Sequence, residues 1–389
     1  MPASTDPLDE DIRDPVTVQA RVAIVQDLWP GRVTLASKEL QLVWGAYFEH
    51  YTRSCETVFS EQYFRKIVIK HGDILQFIHL LEGTADRGKI RKLPQDKTKG
   101  SEVVRKIFSA RRYQILDYDE PMDGLINLGA RILTMSVVGQ TASSQKLRST
   151  CILPWNTGSL QSAVHSYFNQ PPDIPLEAKD EFIGVGLTFY NIERVAGIKI
   201  IPTDNLLDHL LLVEEDRKLC VFHHASFLKR MLATQSPLFP DGLIHETLNT
   251  LAILLPEPDR STKRWMLHFC RAHARITVDS ELAKCGHFPI RHPSRRYEQL
   301  RFWRDRLIVL EEVVEDAMPP SSQLLSSLQK SNQQLSNSLL KAMNSKSDRW
   351  INSWFAIVAI AVTLFFGLVQ SIEGAMQLYK AYHPEEESS

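Results

Sequence analysis

Cysteine is scarce and scattered in this chain. Its five copies, Cys55, Cys151, Cys220, Cys270 and Cys285, contain no C-x-x-C pair and are odd in number. That excludes a disulfide framework and a zinc ribbon, and it fits reduced thiols in a reducing compartment. Net charge is equally spare: 45 basic against 46 acidic side chains leaves −1. No global field draws the chain to nucleic acid or to an anionic surface, so an electrostatic partner has to be read by a local patch. Glycine-rich phosphate loops are missing. Gly184 and Gly186 give only G-x-G in EFIGVGLTFYN, and no G-K-[ST] occurs. There is no G-x-S-x-G elbow, no H-E-x-x-H and no EF-hand loop. The first residues, MPASTDPLDEDIRDP, lack the basic and apolar regions of a secretory signal. They predict a disordered stretch over 1–18 in a protein kept in the cytosol.

Hydrophobic residues nonetheless make up 43% of the 389 residues, enough for a large core. Amphipathic helical spacing dominates the body. In ASKELQLVWGAYFEHYTRSCETVF, Leu40, Val43, Trp44, Tyr47, Phe48 and Tyr51 share a face. FRKIVIKHGDILQFIHLLEG continues the pattern up to Gly83, and LLDHLLLVEE, ASFLKRML, LIHETLNTLAILL, KRWMLHFCRAHARI and YEQLRFWRDRLIVLEEVVEDA repeat it. Strand-like runs are few: KLCVFHHA, with AGIKIIP and EFIGVGLTFYNI reading as short strands or buried connections. The expectation is a mainly α protein with few short strands, its helical cytosolic body spanning 19–318.

One long apolar run stands apart near the end. From Trp354 to Ile372 there are 19 residues, and no charge occurs between Trp354 and Val369. At the helical rise that is about 28 Å, close to a hydrocarbon core of about 30 Å. Trp354, Phe355, Ile357, Val358 and Ile360 make its first half, and Leu364, Phe365, Phe366, Leu368 and Val369 its second. Trp350 and Trp354 on one side, with Tyr379 and Tyr382 beyond the other, sit where an interfacial aromatic belt would be. Buried core helices are usually shorter than about 15 residues. The spacing therefore predicts one transmembrane helix within 350–372. Lys330, Lys341, Lys346 and Arg349 precede it and only Lys380 follows, which orients the body to the cytosol. The short acidic tail over 373–389 faces the lumen or the exterior. So short a tail implies tail-anchored insertion, and its acidity favours the endoplasmic reticulum over the mitochondrial outer membrane.

Between body and span, residues 319–349 begin at Pro319-Pro320 and are rich in Ser, Gln and Asn. Leu325, Asn332 and Leu339 fall at one heptad position, Leu328, Leu335 and Ala342 at the other. This reads either as a short self-associating stalk, giving a homo-oligomer, or as a solvated linker. A basic stretch over 87–112 carries ten Lys or Arg against Asp96 and Glu102. It reads as an exposed loop, either merely solvated or touching anionic lipid headgroups. Without interleaved aromatic residues it does not read as a nucleic-acid site.

Candidate chemistry gathers in TDNLLDHLLLVEED, CVFHHASFL and LIHETLNT. Were these to converge, Asp204, Asp208, His209, His223 and His224 are the residue types that hold zinc or iron. His245 and Glu246 open the third segment. Asp204 and Asp208 are four apart, on one face if the segment is helical. The alternative is that Asp204 caps a helix beginning near Asn205 and the histidines are satisfied core or surface residues.

Three segments in order resemble a known group. INLGARILTMSVVG with LPWNTGSLQSAVHSYF, TDNLLDHLLL with CVFHHASFL, and LIHETLNTLAILLPEPDR with KRWM, ahead of a C-terminal span, look like a large group of uncharacterised proteins from filamentous fungi. The resemblance covers roughly residues 20–372. ARILTMSVV is less aromatic than the version usual in that group. The resemblance implies a fungal, membrane-anchored helical protein and carries no catalytic residues to transfer. The functional expectation is a non-enzymatic binding or scaffolding protein. The alternatives are a membrane-tethered metal-dependent enzyme built on the Asp/His set, and an accessory protein in a fungal pathway.

Overall fold

The computed structural model describes residues 6–30, 44–59, 69–83, 86–92, 119–139, 150–176, 182–256, 260–273, 277–286 and 295–317. All fall in the first of two units, Met1–Gln323, the second being Leu324–Ser389. The predicted stalk, span and acidic tail lie outside the described residues. Among the described residues, no helix is long and apolar enough to cross a membrane.

The unit is mainly helical with a small sheet. Its helices are α1 (Val18–Leu28), α2 (Gly45–Phe59), α3 (His71–Gly83), α4 (Arg87–Lys92), α5 (Asp119–Thr134), α6 (Leu160–Phe168), α7 (Phe189–Arg194), α8 (Ala225–Thr234), α9 (Leu243–Leu254), α10 (Arg260–Ala272) and α11 (Arg304–Ala317). Three strands, β1 (Lys199–Thr203), β2 (Leu211–Val213) and β3 (Lys218–Phe222), form a sheet in the order β1-β3-β2. β1 runs parallel to β3, while β2 is antiparallel to it.

Local chemistry sets many of the helix starts. Thr17, Ser159 and Thr188 each turn a side-chain oxygen onto a backbone N–H of the first turn of α1, α6 and α7. α2 and α3 both pack on α5. Gly129 of α5 lets α3 come close, since a Cβ there would meet the Leu81 side chain at 2.4 Å. An aromatic cluster joins α1, α2 and α8. Trp29 stacks on Trp44 at 5.5 Å, and Tyr47 and Phe227 meet it edge-on. Such ring pairs add specific geometry to the area they bury.

α9 is buried on almost every side, including the polar Glu246, Thr247, Asn249 and Thr250. Glu246 is explained by what it holds: its carboxylate accepts the backbone N–H groups of Arg301, Phe302 and Trp303 at 2.7, 2.8 and 2.7 Å. It thereby fixes the approach to α11, and Trp303 donates its indole N–H to Thr247 at 2.8 Å. Glu246→Ala strands three backbone donors, only one partner of each bond being removed. The expected loss is roughly 3 kcal/mol in urea unfolding, partly restored in Glu246→Gln, which keeps one carbonyl acceptor.

Five expectations differ from the fold. EFIGVGLTFYNI forms no strand among its described residues, and its end, Phe189 onward, starts α7. In YEQLRFWRDRLIVLEEVVEDA only Arg304–Ala317 is α-helix, after a 3₁₀ turn at Tyr297–Gln299. Residues 7–16 are docked rather than disordered: Pro7–Asp9 forms a 3₁₀ turn capped by Asp6, and Ile12 and Val16 are buried. The Ile12 N–H reaches the Ile69 carbonyl at 3.0 Å. The basic stretch begins as α4, not as a loop. Arg87 is buried against Trp155 and donates to Asp123 and Asn127, each at 3.0 Å. Arg91 also pairs with Asp123, leaving Lys89 and Lys92 exposed. Residues 93–112 lie outside the described residues. LLDHLLLVEE, finally, is not a helix but a 3₁₀ turn, Leu206–Asp208, followed by β2. Its dense leucines suit either period, and pairing with β3 decides between them.

Candidate functional site

The site follows from the register of two parallel strands. Thr203 of β1 lies opposite Phe222 of β3. The next residues, Asp204 on one strand and His223-His224 on the other, therefore leave the sheet side by side. The carboxyl ends of parallel strands are where open α/β sheets commonly place ligands. α2 crosses this end and contributes His50 and Arg53, three apart and so on one helical face.

Asp204 is the hub. Its Oδ1 accepts from His224 Nε2 at 2.7 Å and from His223 Nε2 at 3.2 Å. Its Oδ2 accepts from Arg53 Nη1 at 2.7 Å, and His50 Nδ1 lies 3.9 Å away. Arg53 also donates to Glu49 at 2.8 Å, whose other oxygen accepts the Thr277 N–H at 3.0 Å. The two adjacent imidazoles stack at 4.0 Å and are almost wholly buried. Burial on its own would raise the Asp204 pKa. The hydrogen bonds from His223 and His224, with His50 close by, outweigh it and hold the carboxyl well below the usual range. His224 goes the other way: burial, then the neighbouring His223, pull its pKa down to about 3 against the attraction of Asp204.

Proton positions follow from the partners. The Asp279 N–H points at His223 Nδ1 at 3.3 Å, so that nitrogen is an acceptor and the proton sits on Nε2, aimed at Asp204. The carboxylate of Asp279 in turn accepts the Ser226 N–H and hydroxyl at 2.7 and 2.6 Å at the start of α8. His224 donates through Nε2, and its Nδ1 is buried with no partner, as is His50 Nε2. Asp204 is thus an anion surrounded by donors.

The same geometry brings ligand atoms of Asp204, His223 and His224 within 4.8 Å of one another. Their residue types suit zinc or another borderline cation. Loading such an ion at the Nε2 atoms would move the His223 proton to Nδ1, against the Asp279 N–H. Protonated His224 Nδ1 would have no acceptor. The hydrogen-bonded state suits the surrounding backbone better than the metal-bound one.

The other two residues of the proposed metal set do not join. Asp208 turns to the Cys151 N–H at 2.7 Å, across the 3₁₀ turn from Asp204. Burial raises its pKa. His209 is fully buried on the far side, where its Nε2 donates to Thr250 at 2.8 Å and its Nδ1 accepts the Phe222 N–H at 3.3 Å. His245 is exposed, and Glu246 serves α11 as described. Asp204 is not the helix cap either. Asn205 caps the 3₁₀ turn through its side chain. Burial lifts the Cys220 thiol to about 11, which removes it as a nucleophile near His223.

A cleft of about 390 Å³ opens over Asp204. Around the ion-paired floor its walls carry the hydroxyls of Ser54, Thr57, Ser136, Thr150 and Thr203, the Asn205 amide, the Asp208 carboxyl and the cationic Arg53 and Arg131. That volume lies in the range of small-molecule sites. Two residues central to it, His50 and Arg53, were not among the candidates read from the sequence. Their three-residue spacing on the polar side of α2 is the one local signal they carry.

No family model matches the chain, and comparison with curated proteins and with solved structures gives no match.

Proposed function

We propose that this chain is a single-pass membrane protein of the tail-anchored type. Its helical body works on the cytosolic side as a binding module, with the cleft over Asp204 as the recognition site. The observation that most supports binding is the proton count at Asp204. Two imidazole N–H groups and Arg53 already satisfy the carboxylate. A polar ligand then meets the hydroxyls of the cleft wall and a floor that keeps its shape. The histidines that bond a hydroxyl, His209 to Thr250 and His71 to Tyr51, are both fully buried. Anchoring rests on the charge-free residues 354–369, the endoplasmic reticulum location on the acidic residues 385–387, and self-association on the 325–339 seam.

Alkaline carbonate extraction of cell membranes tests the anchor. The full chain is expected to stay in the pellet, and Leu364→Arg with Phe365→Arg to release it. Imaging against organelle markers tests the location, and a mitochondrial signal would remove the endoplasmic reticulum assignment.

A second reading, a membrane-tethered metal-dependent enzyme, is favoured by one observation: the 4.8 Å convergence of Asp204, His223 and His224. Elemental analysis of the purified full chain separates the two. Binding without metal predicts zinc and iron well below one per chain. One equivalent of either, lost in His223→Ala, decides for the enzyme.

A further inference from the structure

We infer that α10 is a second membrane contact, a cationic helix face that rests on anionic lipid headgroups. The inference depends on the anchored reading above, because a tether keeps a weak contact at high effective concentration.

α10 carries no acidic residue from Arg260 to Ala272. Trp265, Met266 and Phe269 are buried and attach it to the body. Trp265 stacks on Phe189 of α7 at 5.6 Å and donates its indole N–H to Glu193 at 2.5 Å. The opposite side is exposed: Lys263, Arg264, Leu267, His268 and Arg271. At about 100° per residue these five fall within an arc of about 140°. None of Lys263, Arg264 and Arg271 has an acidic partner among the described residues, unlike Arg53, Arg87 and Arg91, each of which is ion-paired. At the middle of the stripe Leu267 is 60% exposed, the most exposed large apolar side chain of the described residues. α7, packed on α10, ends on exposed Arg194 and Val195.

Cations with no acidic partner among the described residues, set around an apolar side chain, match an anionic bilayer surface: headgroup charge for the Lys and Arg, and shallow insertion for Leu267. No exposed aromatic residue on the stripe offers bases a stacking platform. The basic stretch over 87–112 was the sequence candidate for this contact, but its described portion spends Arg87 and Arg91 on Asp123.

Cys270 gives a built-in probe. It is exposed, at the flank of the stripe, whereas Cys55 and Cys285 are buried and Cys151 and Cys220 half-buried. The full chain is reconstituted into vesicles of phosphatidylcholine, alone or mixed with phosphatidylserine, with a fluorophore on Cys270 and Cys270→Ser as labelling control. Spin-labelled lipid should quench the dye much more strongly in the mixed vesicles. Neutralising Lys263, Arg264 and Arg271 to Gln should weaken the contact about fivefold per charge, and added salt should weaken it too. A chain that floats with both vesicles but shows no serine-lipid effect, or keeps it in the triple variant, overturns this inference alone. A chain that floats with neither overturns the anchor as well. A dye response to soluble polyglutamate but not to serine lipid assigns the stripe to an acidic protein and also overturns it.

Discussion

Asp204→Ala is expected to lower the stability of the body by roughly 3–5 kcal/mol, read as a shift of the urea midpoint, because one carboxylate compensates several buried donors. His223 and His224, both buried, lose the acceptor of their Nε2 protons. Arg53 retains Glu49 and sits half in solvent, so its share of the loss is small. Asp204→Asn keeps the shape but presents an N–H₂ to one side of the cluster. With the amide oxygen toward the imidazoles, the nitrogen faces the Arg53 guanidinium, so the asparagine variant should also be destabilised. A pH series adds a second readout. The folded carboxyl is held far below its unfolded value of about 3.9. Its contribution is therefore complete above about pH 4 and declines as pH falls below that. The wild type should converge on Asp204→Ala at strongly acid pH. A loss under about 1 kcal/mol at neutral pH would mean that the imidazoles do not depend on Asp204.

That dependence was only half visible in the sequence. The residue types were legible: Asp204, His223 and His224 stand in segments dense with ligand-type side chains. So was the helical character of α2, α3, α8 and α9, whose apolar positions recur at helical spacing. β1 and β3 were legible as short β-branched or apolar runs. What joins them was not. The Asp204–His224 contact exists because β1 and β3 pair in parallel, a choice made by non-local hydrogen bonds. Arg53 reaches Asp204 across 151 positions, a separation no local pattern spans. Asp208 and His209 were grouped with Asp204 on the assumption of a helix. The residues from Leu206 to Val213 satisfy helix and strand spacing alike, and the turn capped by Asn205, with Leu210 at φ +58°, sends them apart. The same limit applied to charge. Arg87 and Arg91 belong to a conspicuously basic run, yet both are tied to Asp123, on α5. The cationic stripe of α10 is less dense in sequence and shows itself only once its buried side is known.

His209 carries the second large effect, and it acts through pH. The ring is enclosed, its Nδ1 filled by the Phe222 N–H and its Nε2 proton given to Thr250, whose hydroxyl passes on to the Thr247 carbonyl at 2.7 Å. Arg306 lies close by, donating to the carbonyls of Leu207 and His209 at 2.8 and 2.6 Å. Burial first, then this guanidinium, bring the His209 pKa down to about 3. An unfolded histidine titrates near 6.5. Between those values the unfolded chain holds the proton and the folded chain does not, so stability rises with pH and falls on acidification. The slope is about 1.4 kcal/mol per pH unit from this one residue, and two units below 6.5 it removes about 3 kcal/mol. His224, also held near 3, acts in the same direction. Urea midpoints of the full chain at pH 7 and pH 5 are expected to differ by at least the His209 share. His209→Asn keeps an acceptor for the Phe222 N–H but has nothing to titrate. Its stability at pH 7 is expected to be lower, while its change between pH 7 and 5 should be smaller by about 2 kcal/mol, an average of about 1 kcal/mol per unit. Comparing slopes makes the test independent of that lower starting point, and equal slopes in the two proteins would show that His209 accepts its proton inside the fold.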